Sequence, residues 1–146
     1  DFLLPDAINK LVELWRNIPN IKRHEYLGVM ALSSDNKGVL QTLSFDSDGS
    51  ILDTTWEAIM ANEIGDGIIM CRSDLIKNKR FLEVDFLITE SSFWQPVASG
   101  MRVIFLPSVL KIMDRTAPNS ISFGEKMEYN RGKAYAISLS DIGYYF

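Results

Sequence analysis

One cysteine, Cys71, and one histidine, His24, stand in a chain of 146 residues. A single thiol forms no intrachain disulfide and a single imidazole is a poor start for a zinc staple, so a hydrophobic core must hold the fold. The length is one domain's worth, enough to bury such a core, and residues 1–146 are read as a single domain. Hydrophobic residues at 47% and charged residues at 23% supply the apolar interior and polar exterior that this requires. The same shortage bears on chemistry. Nucleophile–base pairs, zinc sites and thiol catalysis draw on these two residue types, so the chain reads as one that binds or builds, not as an enzyme.

Charge and flanks narrow the class further. A net charge of −4 argues against nucleic-acid binding by bulk charge and leaves only a local basic patch for such a role. The cysteine usage points to an intracellular or virion-interior setting. No apolar run approaches the roughly 18 residues needed to span a bilayer, and Asp1 to Pro5 lacks the basic start of a signal peptide. The chain starts without methionine, which leads us to expect a trimmed product with a tail upstream.

Apolar periodicity gives the elements. Asp6 is placed to cap a helix carrying Ile8, Leu11, Val12, Trp15 and Ile18, which Pro19 stops. Tyr26 to Leu32 reads as a buried strand, Ser33 to Gly38 as a turn, and Val39, Leu43 and Phe45 as the returning strand of a hairpin. After a polar loop, Asp53 is placed to cap a helix with Trp56, Ile59, Met60 and Ile64 on one face. Gly67 to Cys71, Leu82 to Ile88 and Met101 to Leu106 read as strands. Pro107 and Ser108 then open a short helix with Val109, Leu110 and Met113, and Ala117 to Ser120 returns to strand. Residues Ile121 to Tyr129 and Lys133 to Leu139 flank Asn130, Arg131 and Gly132 as a closing hairpin. The expected fold class is α+β, a mostly antiparallel sheet of five to seven strands covered by two or three helices.

Few residues combine into a reactive pattern. Asp46, Asp48, Ser50 and Glu57 fall in a calcium-loop register, but Ile51 occupies the position that needs glycine, so a solvated acidic turn is the better reading. His24 reads as a surface residue and Cys71 as a structural one. Glu83 and Asp85 share a strand face as plain solvent charges, Gly65 to Gly67 makes no phosphate loop, and Ser33 and Ser34 sit in no nucleophile motif. No metal, cofactor or small-molecule substrate is expected. Two features suit binding better. Lys22, Arg23, Lys77, Lys79 and Arg80 make a candidate basic patch, and Ile51 and Leu52 are adjacent aliphatics in a polar loop.

The order of elements resembles that of a rhabdovirus matrix protein, specifically a vesiculovirus-like matrix core. The residues carrying the likeness are Asp6, Ala7 and the helical run to Trp15, then Lys22, Arg23, Tyr26, the strand to Leu32, and Ser33 and Ser34. A second stretch, Phe81 to Glu90, looks like the family's long amphipathic strand. Phe123, Gly124, Glu128, Gly132, Ala134, Ile137, Ser138 and Phe146 look like its closing hairpin and aromatic end. The likeness spans half to two-thirds of the chain, and Val39 to Lys79 match only in layout.

The resemblance implies a structural protein that self-associates, condenses the ribonucleoprotein, lines the inner face of the envelope and drives budding. It also implies a location in the virion beneath the envelope and at the host cytoplasm and inner membrane face. Self-association would use Leu43, Phe45, Ile51 and Leu52. The basic residues would meet the viral nucleocapsid or an anionic membrane, and the family's lysine-rich tail and Pro-Pro-x-Tyr motif would lie upstream of Asp1. The acidic net charge departs from the usually basic family member. The alternative of another class is a small cytosolic protein-binding module, such as a bacterial toxin-immunity protein.

Overall fold

The computed structural model describes residues 1–40, 49–62, 66–81 and 90–114. In chain order the elements are β1 (Phe2–Leu3), α1 (Ala7–Asn17), a 3-10 segment (Asn20–Glu25), β2 (Tyr26–Asp35), β3 (Leu52–Thr55), α2 (Trp56–Ala61), β4 (Gly67–Cys71), α3 (Ser73–Ile76), α4 (Ser91–Ala98) and β5 (Arg102–Met113). The fold is α+β, as expected, but the sheet is mixed, not mostly antiparallel. Its longest ladder is the parallel pairing of β2 with β5, while β4 joins β2, and β3 and β1 join β5, antiparallel. Among the described residues, four strands of four residues or more and the two-residue β1 give a sheet at or below the low end of the expected range.

Parallel pairing at the centre follows from burial on both faces. Every residue of β2 from Tyr26 to Ser34 is buried, and its side chains alternate between two cores. Val29 and Ala31 meet Ala7 and Leu11 of α1 and Leu110 of β5. Leu27, Met30 and Leu32 face the other way, onto Trp56 and Ile59 of α2, Val97 and Ala98 of α4, and Val103 and Phe105 of β5. A strand with helices on both sides needs apolar residues at every position, which is the run seen in the sequence. The described residues therefore form three layers: α1, the sheet, and α2 to α4.

Several local expectations are corrected. Asp6 does not cap α1 with its side chain. Its backbone is left-handed (φ 63°), and its carbonyl oxygen accepts the Lys10 N–H at 3.0 Å. Ile8 is exposed, so the stripe that packs is Ala7, Leu11 and Ile18, with Leu14 and Trp15 partly covered. Ser33 and Ser34 belong to β2, not to the turn. Both are buried, and the Ser33 hydroxyl donates to the Asp66 carbonyl, which satisfies it inside the sheet. The turn begins at Asp35, whose Oδ1 accepts the N–H groups of Lys37 and Val39 at 2.9 Å each, with Gly38 at φ 83°. Ser34 and Leu40 form an isolated antiparallel bridge, and the rest of the expected returning strand, with Leu43 and Phe45, lies outside the described residues.

Asp53 does not cap the second helix either. It lies in β3 opposite Ile104, and Thr55 caps α2, its Oγ1 accepting the Ala58 N–H at 3.2 Å. The predicted helix after Pro107 is instead the second half of β5. Leu106 pairs with Ala31 and Val109 with Leu32, leaving Pro107 and Ser108 as an irregularity where the missing proline N–H breaks no rung. α4, which holds Pro96, was not among the expected helices, and the described residues alone contain four helices where two or three were foreseen. Ile64, the Leu82 to Ile88 strand, Ala117 to Ser120 and the closing hairpin lie outside the described residues.

Candidate functional site

The two aliphatics of the proposed contact loop take different places. Ile51, just ahead of β3, is 52% exposed. Leu52 pairs with Phe105 and packs half-buried against the α2–α4 core. Leu43 and Phe45 lie outside the described residues. On the other flank of this loop, Val39 and Leu40 are also exposed. β5 occupies one side of β2 at Ser34, so Leu40 bridges from the opposite side, whereas β3 lies beyond β5. Three strand spacings, roughly 14 Å, thus separate Leu40 from β3 across the sheet.

The basic residues divide similarly. Arg23 serves the fold: its Nε donates to the Ile18 carbonyl at 3.0 Å, its NH2 to the Arg16 carbonyl at 3.1 Å, and its guanidinium lies 5.6 Å over the Trp15 ring. It closes the carboxyl end of α1, where a cation is favoured. Lys22, Lys77, Lys79 and Arg80 are exposed. Arg72, which was not among the patch candidates, joins their two segments. Its NH1 donates to the carbonyls of His24 (2.8 Å) and Arg23 (3.3 Å), and its Nε donates to Asp74 Oδ1 at 3.1 Å. That hydrogen bond holds the Asp74 carboxyl below its ordinary range. Beside Arg80, Phe81 is 49% exposed and stacks on Phe93 of α4, with centroids 4.3 Å apart and planes 15° apart.

One polar constellation was not legible in the sequence. The Tyr26 hydroxyl donates to Asp53 Oδ2 at 2.7 Å, and Arg102 reaches Asp53 Oδ1 with Nε at 3.1 Å and NH2 at 2.8 Å. The Arg102 Nε also lies 3.2 Å from the Tyr26 hydroxyl, and its guanidinium lies 5.5 Å over the ring. Tyr26 and Arg102 head β2 and β5, Asp53 lies inside the antiparallel β3, and only the strand register brings the three together. Burial, then the hydrogen bond to Asp53, raises the tyrosine pKa above 10.0. With each polar group engaged by the others, the cluster is a latch between three strands.

Glu57 ties α2 to the turn after α4 in a comparable way. Its Oε1 accepts the Gly100 N–H at 2.7 Å and lies 3.3 Å from the Ser99 hydroxyl, and the Gly100 bond is the main reason its pKa falls below 4.5. The carboxylate is thus engaged away from the calcium-loop register, whose Asp46 and Asp48 lie outside the described residues. Among the described residues no group of three or more His, Cys, Asp and Glu side chains could hold a metal ion, and no helix is long and apolar enough to cross a membrane. His24 is exposed, and Cys71 is half-buried against the α2–α4 core, where burial pushes its thiol up and keeps it protonated.

The shifts set opposite pH limits. Glu57, with a depressed folded pKa, contributes stability that is full above its unfolded value near 4.5 and is lost as pH falls through the folded value. Tyr26, with a raised folded pKa, contributes stability that is full below 10.0 and is lost as pH rises through the folded value. Urea unfolding across pH should therefore show Glu57→Gln flattening only the acid limb, by less than about 1 kcal/mol given its exposure. Tyr26→Phe should flatten only the alkaline limb. An acid limb unchanged in Glu57→Gln would remove that carboxylate from the account.

No protein-family model, no curated protein and no solved structure matches this chain.

Proposed function

We propose that this domain is a structural protein of the viral matrix type, which self-associates, condenses a ribonucleoprotein and links it to the inner face of an envelope during assembly and budding. The observation that carries the reading is Ile51: an aliphatic side chain 52% exposed at the head of β3, next to Leu52, which fixes the strand to the core. An apolar side chain on a polar loop, supported by a rigid strand, favours contact with another surface. It also lies in the stretch where the resembling family makes its self-contacts. In this reading Leu43 and Phe45 belong to the same contact, and Lys22, Lys77, Lys79 and Arg80 face the nucleocapsid or an anionic membrane.

Repetition of one weak head-to-tail contact is enough to build an open array. The test is sedimentation velocity over a range of concentration and salt, comparing the native chain with Ile51→Asp. Leu52 stays untouched, since a charge there would enter the core. Native polymers that grow with concentration are expected. Burying one aliphatic side chain is worth about 1.5–3 kcal/mol, so Ile51→Asp should weaken each contact by roughly ten-fold or more. Polymers indifferent to Ile51→Asp would move the contact elsewhere. A strict monomer in every condition would overturn the matrix reading in favour of a protein-binding module.

A further inference from the structure

We propose that the surface formed by Lys77, Lys79, Arg80 and Phe81, continued by Lys22, binds single-stranded nucleic acid directly. Charge is the first ground. The segments 20–25 and 72–81 hold six lysines and arginines against Glu25 and Asp74, a local excess of four in a chain whose net charge is −4. Asp74 is paired to Arg72, and Arg72 binds the carbonyls of Arg23 and His24, so the two basic segments abut. Positive charge segregated on an acidic protein marks a polyanion site more specifically than a uniformly basic composition does.

The second ground is the ring. Phe81 stacks nearly parallel on Phe93, which fixes its ring plane while leaving it half-exposed. A ring fixed in this way presents a surface on which a nucleobase can stack, with Lys77, Lys79 and Arg80 within four residues to meet the backbone phosphates. An anionic bilayer would use the same cations but would favour an aromatic group free to insert. The inference shares this patch with the matrix reading but needs neither self-association nor a viral setting, so its failure would leave the sedimentation result standing.

The test is fluorescence anisotropy of a labelled oligouridylate of about ten nucleotides over a salt series, with phosphatidylserine vesicles in parallel. Neutralising three phosphates gives a slope of log affinity against log salt near −2, and Lys79→Ala should reduce its magnitude by about 0.7. Phe81→Leu, which keeps an apolar side chain on Phe93, should weaken binding about ten-fold, while Phe81→Trp should hold or improve it. Thermal melts of each variant separate loss of the site from loss of the fold. Absence of oligonucleotide binding at low salt, equal binding by Phe81→Leu and Phe81→Trp, or dependence on these residues for vesicles alone would each overturn the proposal.

Discussion

A Gly28→Ala variant is expected to lose about 3 kcal/mol or more of stability, the upper end of what overpacking a core costs. Gly28 lies in β2 between Cys71 of β4 and Val103 of β5, just past the irregularity at Leu27. A Cβ there would overlap the Met70 carbonyl oxygen and sit 2.8 Å from the Cys71 Cα. Both are backbone atoms of a paired strand, and no side-chain rotation relieves them. Gly67 provides the comparison. Its Cβ would meet the Met30 Cε at 2.7 Å and the Ala31 carbonyl at 2.8 Å, and the first is the movable end of a flexible side chain. Gly67→Ala should therefore cost less than Gly28→Ala. Gly100, at φ 74° with open space around its Cβ, should cost only about 1 kcal/mol. Urea midpoints of the three alanine variants should fall in that order, and a Gly28→Ala protein as stable as the native chain would disprove the close approach of β2 to β4.

What the sequence revealed and what it hid follow from how local each cause is. α1 was legible because its stripe, the stop at Pro19 and its polar face all lie within a few residues of one another. The run from Tyr26 to Leu32 was legible as a buried strand, yet its partner was not. A run apolar at every position reports burial on both faces, but which strand lies alongside is fixed by residues more than seventy positions away. The second half of β5 was misread because Pro107 and Ser108 satisfy the local rule for opening a helix. Pairing of Val109 to Met113 with the end of β2 overrides that preference, as tertiary context commonly does. The same competition moved Asp53 from helix cap to strand, where Arg102 and Tyr26 take up its carboxylate.

The site followed the same division. Ile51 and the cations of 77–80 are surface features whose exposure depends mainly on near neighbours. The basic run at Lys22 and Arg23 is visible in the sequence, but not that the Arg23 guanidinium bonds the Arg16 and Ile18 carbonyls and lies over Trp15. Leu52 reads as Ile51's equal in the sequence, and only the alternation imposed by pairing with Phe105 turns it inward. The contacts by which Arg72 ties the basic segments and Phe93 supports Phe81 are long-range and have no local signal.

Phe105→Ala and Leu110→Ala test whether the sheet separates two independent cores. Phe105 is fully buried among Leu27, Trp56, Ile59 and Val97, and Leu110 is 1% exposed on the α1 side with Ala7, Leu11 and Val29. Removing the phenyl ring should cost about 3–5 kcal/mol and the leucine side chain about 2–5 kcal/mol, from lost burial and the cavity left behind. Stacked layers lie about 10 Å apart, and the two residues share no cluster partner, so their costs should add to within about 0.5 kcal/mol. The pair together would approach the whole stability of a typical domain, about 5–15 kcal/mol, so the additivity is best read from milder versions, Phe105→Leu and Leu110→Val. Coupling well above that limit would mean that the strands relay strain between α1 and α2–α4. In that case β5 would be a mechanical element connecting its two faces, and a contact made at Ile51 beside β3 could be felt at α1.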